Sequence, residues 1–324
     1  MLTRSARVQG VGLSLREALP PPRLREVAQA LDAHEGTSLW LPEFALRESF
    51  GQLGYVAAST ARVRLANGVA PMAARTPVAS ALAAATIEDL SGGRAVLGLG
   101  VSHSSMTGGW HGQEPGSQLQ WAADYLRVVR QVLDGHATDL DGEELRSRGF
   151  ELLGGARPDV PVVLAALGPR MLELGGRLAD GVLLNWTTPS YASDSRDRVT
   201  QAATDAGRPP PVVGAYVRVA AGPDAARQAR MHTDFYTQLP AYHRSLVRMG
   251  FSESDDMTAK ASDALILRGS AEDVAGRMGE WADSGVDPVV VYPVGDGTAI
   301  GQTIDLALDV VALLAAERRR ASLP

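Results

Sequence analysis

Eight short apolar runs, each followed by a stretch with helical spacing, set the tightest limit on what this chain can fold into. The runs are 8–15, 38–41, 63–69, 95–101, 160–166, 181–185, 212–219 and 289–292. Pro161-Val162-Val163-Leu164-Ala165-Ala166 shows no polar alternation, as expected of a strand buried on both faces of a parallel sheet. Between the runs, apolar residues recur at helical intervals, as at Leu24, Val27, Ala28 and Leu31. Thr76-Pro77 predicts a capped helix start with proline in the first turn, and Ser270 with Asp273 predicts a capping-box pair. Strict alternation of eight strands with helices predicts an α/β protein, a (β/α)8 TIM barrel rather than a doubly wound sheet. No GxGxxG pattern follows the first strand, which weakens a dinucleotide-binding fold.

Two segments break the rhythm. Residues 134–159 contain Asp141-Gly142, which predicts a hairpin turn with a second strand near 150–153. Residues 234–264 are rich in aromatic and polar side chains. Both read as insertions in a single barrel domain spanning 1–324.

The bulk numbers narrow the function classes. A net charge of −6 gives no nucleic-acid footprint. With no cysteine, disulfides, thiolate catalysis and cysteine-ligated metals are excluded. No HExxH or paired His/Asp cluster points to a metal, and no GxSxG or phosphate-loop lysine motif is present. Residues 1–10 carry Arg4 and Arg7 but no apolar signal core, and no run of about 18 apolar residues predicts a membrane span. The expected location is cytoplasmic.

The stretch Leu90 to His103 locates a site. A helix stops at Gly92-Gly93, a short strand follows, and Gly98 and Gly100 leave its end open to close approach. Ser102 and His103 come next, where parallel α/β folds bind ligands. Glu43, Asn67 and Asn185 end three other strands.

Several motifs in order carry a family resemblance. They are Leu39-Trp40-Leu41-Pro42-Glu43, Leu65-Ala66-Asn67-Gly68-Val69-Ala70-Pro71, Arg75-Thr76-Pro77-Val78-Ala79 with Ala84-Ala85-Thr86, and Leu90 to His103. Ala165-Ala166-Leu167-Gly168-Pro169-Arg170-Met171, Leu178-Ala179-Asp180-Gly181-Val182 and Arg268-Gly269-Ser270-Ala271-Glu272-Asp273-Val274 complete the set. The chain resembles the bacterial luciferase-like flavin-dependent oxidoreductases, and within them the actinobacterial branch that uses the deazaflavin coenzyme F420. The resemblance implies a flavin or deazaflavin ring across the C-terminal strand ends, and a bulge after the third strand with a non-proline cis bond at Gly68–Val69. It implies an F420-dependent oxidoreductase passing a hydride between the deazaflavin C5 and a small organic substrate. Two alternatives stay open: an FMN-dependent monooxygenase that uses reduced flavin and oxygen, supplied by a separate reductase, and a non-catalytic flavin-binding barrel. Homodimerisation is a family-level expectation.

Under this resemblance the cofactor contacts fall on Asn67, Gly68, Val69, Ser102, His103, Ala166, Leu167, Gly168, Pro169, Arg170, Asn185 and Trp186. Gly168-Pro169-Arg170 opens a helix, whose free N–H groups and dipole suit the cofactor phosphate, with Arg170 adding charge. Glu43 and His103 are the candidate catalytic groups, Glu43 as a general acid/base. Trp40, Trp110 and Trp186 are the expected substrate walls, with Trp110 on a Gly-rich lid loop, Thr107 to Gly112. They suit an apolar or aromatic small molecule. A sugar phosphate fits less well, because the loop Trp186 to Tyr191 holds no lysine or arginine.

Overall fold

The structure is a computed structural model, describing residues 3–154, 158–252 and 256–322. The barrel strands are β1 (Val11–Ser14), β2 (Thr37–Leu41), β3 (Arg64–Asn67), β4 (Ala95–Gly100), β5 (Val162–Ala165), β6 (Gly181–Leu184), β7 (Val212–Val219) and β8 (Val289–Pro293). Each pairs in parallel with the next, and β8 pairs with β1 through Val11 opposite Val289, so the sheet closes on itself. The predicted (β/α)8 barrel is present.

Two side-chain layers follow from the period-two alternation of strands. Trp40, Ala66, Val96, Val163, Leu183, Tyr216, Val290 and Tyr292 form the cluster inside the barrel. Leu39, Leu41, Leu65, Leu97, Leu164 and Val182 join the larger core under the helices. Strand burial on both faces is why the runs lack polar positions. Gly12 in β1 makes room for Trp40, since a Cβ there would lie 2.8 Å from the Trp40 Nε1.

The start and stop signals act as read. Thr76 Oγ1 accepts from the Ala79 N–H at the start of the helix Pro77–Ser91, and Gly92 ends it at φ 66°. Ser270 and Asp273 form the reciprocal capping box of the helix Ala271–Asp283. The third strand departs from the expected 63–69: β3 stops at Asn67, and Ala70–Pro71 resumes pairing with Leu99 and Gly100 beyond a bulge.

The hairpin comes earlier than expected. Asp139–Asp141 pairs with Arg146–Arg148, not with 150–153. The turn closes through the Gly142 N–H on the Leu145 carbonyl, and Arg146 and Arg148 ion-pair with Asp141 across the strands. Apolarity at 150–153 serves packing instead, Phe150 and Leu152 lying against the core.

The second insertion is helical among the described residues, and it starts earlier than 234. It holds Ala225–Thr237, Pro240–Arg248 and Met257–Leu265, and the short strand Ile266–Leu267 pairs in parallel with the end of β7. The expected lid loop at 107–112 lies mostly in a helix, Ser104–His111, which Gly112 ends at φ 63°. The helix Ala299–Ser322 is long and apolar enough, by length and composition, to cross a membrane. Its Ile304, Ala307, Val310 and Val311 are nevertheless buried in the main core.

Candidate active site

The C-terminal ends of the strands surround a cleft of about 350 Å³. Its floor is the bulge after β3, where the Gly68–Val69 peptide is cis, as the resemblance implied. The neighbouring chain is shaped to receive it. A Cβ on Gly98 would run into the Asn67 carbonyl, and one on Gly100 would lie 2.7 Å from Val69 Cγ2. Those two glycines therefore admit the bulge itself, where the sequence had suggested approach by a ligand. On the opposite side, the Tyr216 hydroxyl donates to the Gly68 carbonyl, and Trp40 packs beneath Gly68.

Glu43 lines the cleft at the end of β2. Both of its oxygens are taken. Oε1 accepts from Arg75 Nη2 at 2.7 Å and from the Ser49 N–H at 3.1 Å, and Oε2 accepts from Arg75 Nη1. The Glu43 N–H in turn donates to the Val69 carbonyl at 3.2 Å. A carboxylate clamped in this way is poorly placed to move protons; it ties Arg75 to the start of the helix Ser49–Ala57, while the Glu43 backbone N–H holds the bulge. Arg75 is held above its ordinary value by Glu43 and Glu48, against the opposing effect of its burial.

Ser102 and His103 line the cleft beyond β4. Ser102 has φ 61°, a conformation few non-glycine residues adopt, and Trp186 after β6 has φ 54°. Such backbone collects at binding sites, where surrounding contacts hold it. His103 caps the helix Ser104–His111 through its carbonyl, which accepts from Met106 and Thr107. Burial lowers its imidazole pKa, favouring the neutral ring.

Ala166, Leu167 and Gly168 line the rim after β5. Gly168 is the N-cap of the helix Pro169–Leu178, with Pro169 in its first turn. Arg170 is exposed and, with Pro169, stands outside the lining. The nearer cation is Arg248 from the insertion: its Nη1 would lie 4.0 Å from a Cβ on Gly168.

The tryptophans are not where an apolar substrate wall requires them. Trp40 is buried inside the barrel with its Nε1 donating to Ser38 Oγ at 2.8 Å. Trp110 points out, half exposed, edge-on to Phe44. Trp186 is buried behind the cleft, its face 4.0 Å from the Arg218 guanidinium carbon. Asn67 is also buried, donating to Ser49 Oγ at 2.7 Å.

In their place a polar cluster fills one wall. Arg218 of β7 is 1% exposed and lines the cleft. It donates to Asn185 Oδ1 at 2.7 Å and to His232 Nε2 at 3.4 Å. Asn185 donates onward to the Tyr242 hydroxyl at 3.0 Å. His232 stacks on Trp186, and burial, with the Arg218 and Arg16 charges, pushes its pKa down to about 2. Neutral His232 is therefore an acceptor for Arg218. Burial pushes the Tyr216, Tyr242 and Tyr292 hydroxyls well above their ordinary value, so they remain protonated donors. Sequence reading assigned no role to Arg218 or His232; an arginine inside an apolar strand run, Val212 to Val219, was the available signal.

With this geometry in view, the comparisons identify the family. Residues 5–288 match the family described as Luciferase-like monooxygenase, and the chain belongs to it. A Mycobacterium tuberculosis protein, whose name places it among the coenzyme F420-dependent oxidoreductases, is 32% identical over 200 residues. That match spans 56% of this chain and 56% of the relative, little more than half of either. A 5,10-methylenetetrahydromethanopterin reductase of Methanolobus tindarius is 24% identical over 93% of this chain and 97% of its own length. Among solved structures, an F420-dependent secondary alcohol dehydrogenase in complex with an F420-acetone adduct superposes with a TM-score of 0.78 at 14% identity, over 94% of this chain and 99% of that one.

Proposed function

We propose that this chain is a coenzyme F420-dependent oxidoreductase that passes a hydride between the deazaflavin and a small organic substrate. The observation that carries it is the cleft floor: the bulge at Gly68 and Val69, seated between β4 and Tyr216, offers a bed for a flat ring at the barrel mouth. The name of the Mycobacterium tuberculosis relative supports the same cofactor. The deazaflavin, when bound, supplies the hydride chemistry; the protein supplies orientation and electrostatics.

Gly68 and Val69 would support the ring, and Ser102 and His103 would flank it from the end of β4. Ala166 and Leu167 would line its path to the rim. The helix start at Gly168 would hold the cofactor phosphate through backbone N–H groups, with charge from Arg248 in place of Arg170. Glu43 would act by fixing the bulge, and His103, neutral and on the lining, is the remaining titratable catalytic candidate from the sequence.

Parallel fluorescence titrations of the purified chain with oxidised F420 and with FMN test the reading. F420 binding at micromolar concentration or tighter, with weak FMN binding, is expected. The reverse preference would make the chain an FMN monooxygenase fed by a separate reductase. Binding of neither would leave a non-catalytic barrel. We further infer a homodimer in the cytoplasm. Exposed Tyr55, Leu82 and Leu90 on the adjacent helices Ser49–Ala57 and Pro77–Ser91 support an interface there. Light scattering on the purified chain measures the assembly.

A further inference from the structure

We propose that Arg218 seats a carboxylate of the substrate, so that the cleft selects small organic acids with an apolar body. The inference rests on the oxidoreductase reading above and names its substrate class.

Arg218 is almost fully buried, yet its partners are neutral: the Asn185 side-chain oxygen, the His232 ring nitrogen and the faces of Trp186, Tyr292 and Tyr236. Among the described residues no carboxylate oxygen lies within 4.0 Å of it. Two other arginines on or near the cleft do have acids. Arg75 has Glu43 and Glu48, and Arg16 has Glu17 at 3.3 Å. A buried charge without a counter-ion is costly to keep, and a ligand that brings one would remove that cost.

Two features point to a carboxylate on the substrate. Arg218 is on β7, whereas the Gly168 helix start follows β5, two strands round the barrel. The proposed phosphate seat and the buried guanidinium thus rest on different strands. The planar guanidinium fork also matches a planar carboxylate, the strongest hydrogen-bonded partner available to it. Val69, Met106, Met171, Phe235 and Leu239 add an apolar surface to the lining, which accommodates a hydrocarbon or aromatic body. The loop after β6 holds no lysine or arginine for a sugar phosphate, whereas β7 supplies a cation from inside the barrel.

The test uses the full-length chain, with and without saturating F420, and four acids: propionate, benzoate, phenylacetate and 3-phenylpropionate. Each is compared with its neutral amide by calorimetry. At least one acid is expected to bind ten times more tightly than its amide. In Arg218→Gln that preference should fall below twofold while F420 affinity stays within threefold. No preference for any acid in the wild-type chain overturns the proposal, and this holds even if Arg218→Gln fails to fold. Retained preference in Arg218→Gln also overturns it. So does a tenfold loss of F420 affinity in that variant, which would assign the cation to the cofactor. Acid preference in a chain that binds no F420 would keep the carboxylate seat and remove the F420 reading instead.

Discussion

His232 shows how much a single buried ring can impose on stability. The unfolded chain takes up a proton on this residue near pH 6.5, but burial and two arginines delay uptake in the folded state to about pH 2. The stability it permits is therefore complete above pH 6.5 and declines as pH falls from 6.5 toward 2, by about 1.4 kcal/mol per unit. His232→Gln should flatten that decline between about pH 6.5 and 4.5, read by urea unfolding across the range. Equal slopes in the two proteins would remove His232 from the account. Tyr216 makes a second residue-scale case. Its hydroxyl is the donor to the Gly68 carbonyl, so Tyr216→Phe leaves a buried acceptor unpaired and should cost about 1–3 kcal/mol. It should also weaken cofactor binding, which the F420 titration measures, since the bulge loses its tie to β7.

At the scale of elements, the loops after β2 and β3 act as one unit. Glu43 links Arg75, the start of the helix Ser49–Ala57 and the Val69 carbonyl. A structural clamp and a proton carrier predict different kinetics. Glu43→Gln should lower stability by about 1–3 kcal/mol, because Arg75 loses its two-pronged ion pair and keeps only Glu48 as a charged partner. It should leave the hydride-transfer rate within about threefold of wild type, whereas removal of a general acid or base costs about 10²–10⁴-fold. Stopped-flow rates beside unfolding curves decide between them: a hundredfold slower step at unchanged stability would return Glu43 to proton transfer. The same element scale explains the misplaced hairpin. The strand partner was sought in the apolar run 150–153, but an exposed two-stranded ribbon is held by its turn and by cross-strand charge, which Arg146, Arg148 and Asp141 provide.

For the whole molecule, the barrel and the insertion have separate cores. The insertion packs Leu246, Met257, Ala261, Leu265 and Ile266 with Trp186 as a satellite cluster, while the strands share the main cores. A small satellite buries less apolar surface per ordered residue, so it should open at lower free energy than the closed sheet. Hydrogen exchange should show Pro240–Arg248 and Met257–Leu265 exchanging well before β1 and β8. Uniform protection across both would mean that they unfold as one unit. Because this satellite carries the back of the Arg218 wall, its local opening would also loosen the proposed carboxylate seat.

The barrel was legible from the residues because its strands are buried on both faces and its helices on one. Those two patterns differ in period, and their alternation along the chain has few three-dimensional solutions. Caps at Thr76 and Ser270 are equally local, since a capping side chain reaches only three residues ahead. The cis bond at Gly68–Val69 came from the family resemblance; no local rule yields it. What only the tertiary structure decided is where side chains point and whom they meet. Trp40 and Trp186 were read as pocket walls because they stand at strand ends, yet both turn into packed interiors. Arg218 on β7, His232 on the helix Ala225–Thr237 and the Asn185-Trp186 pair after β6 lie on separate elements, and closing the sheet and docking the insertion brings them together. Period and caps are properties of neighbours in the chain; a buried charge and its partners are neighbours only in space.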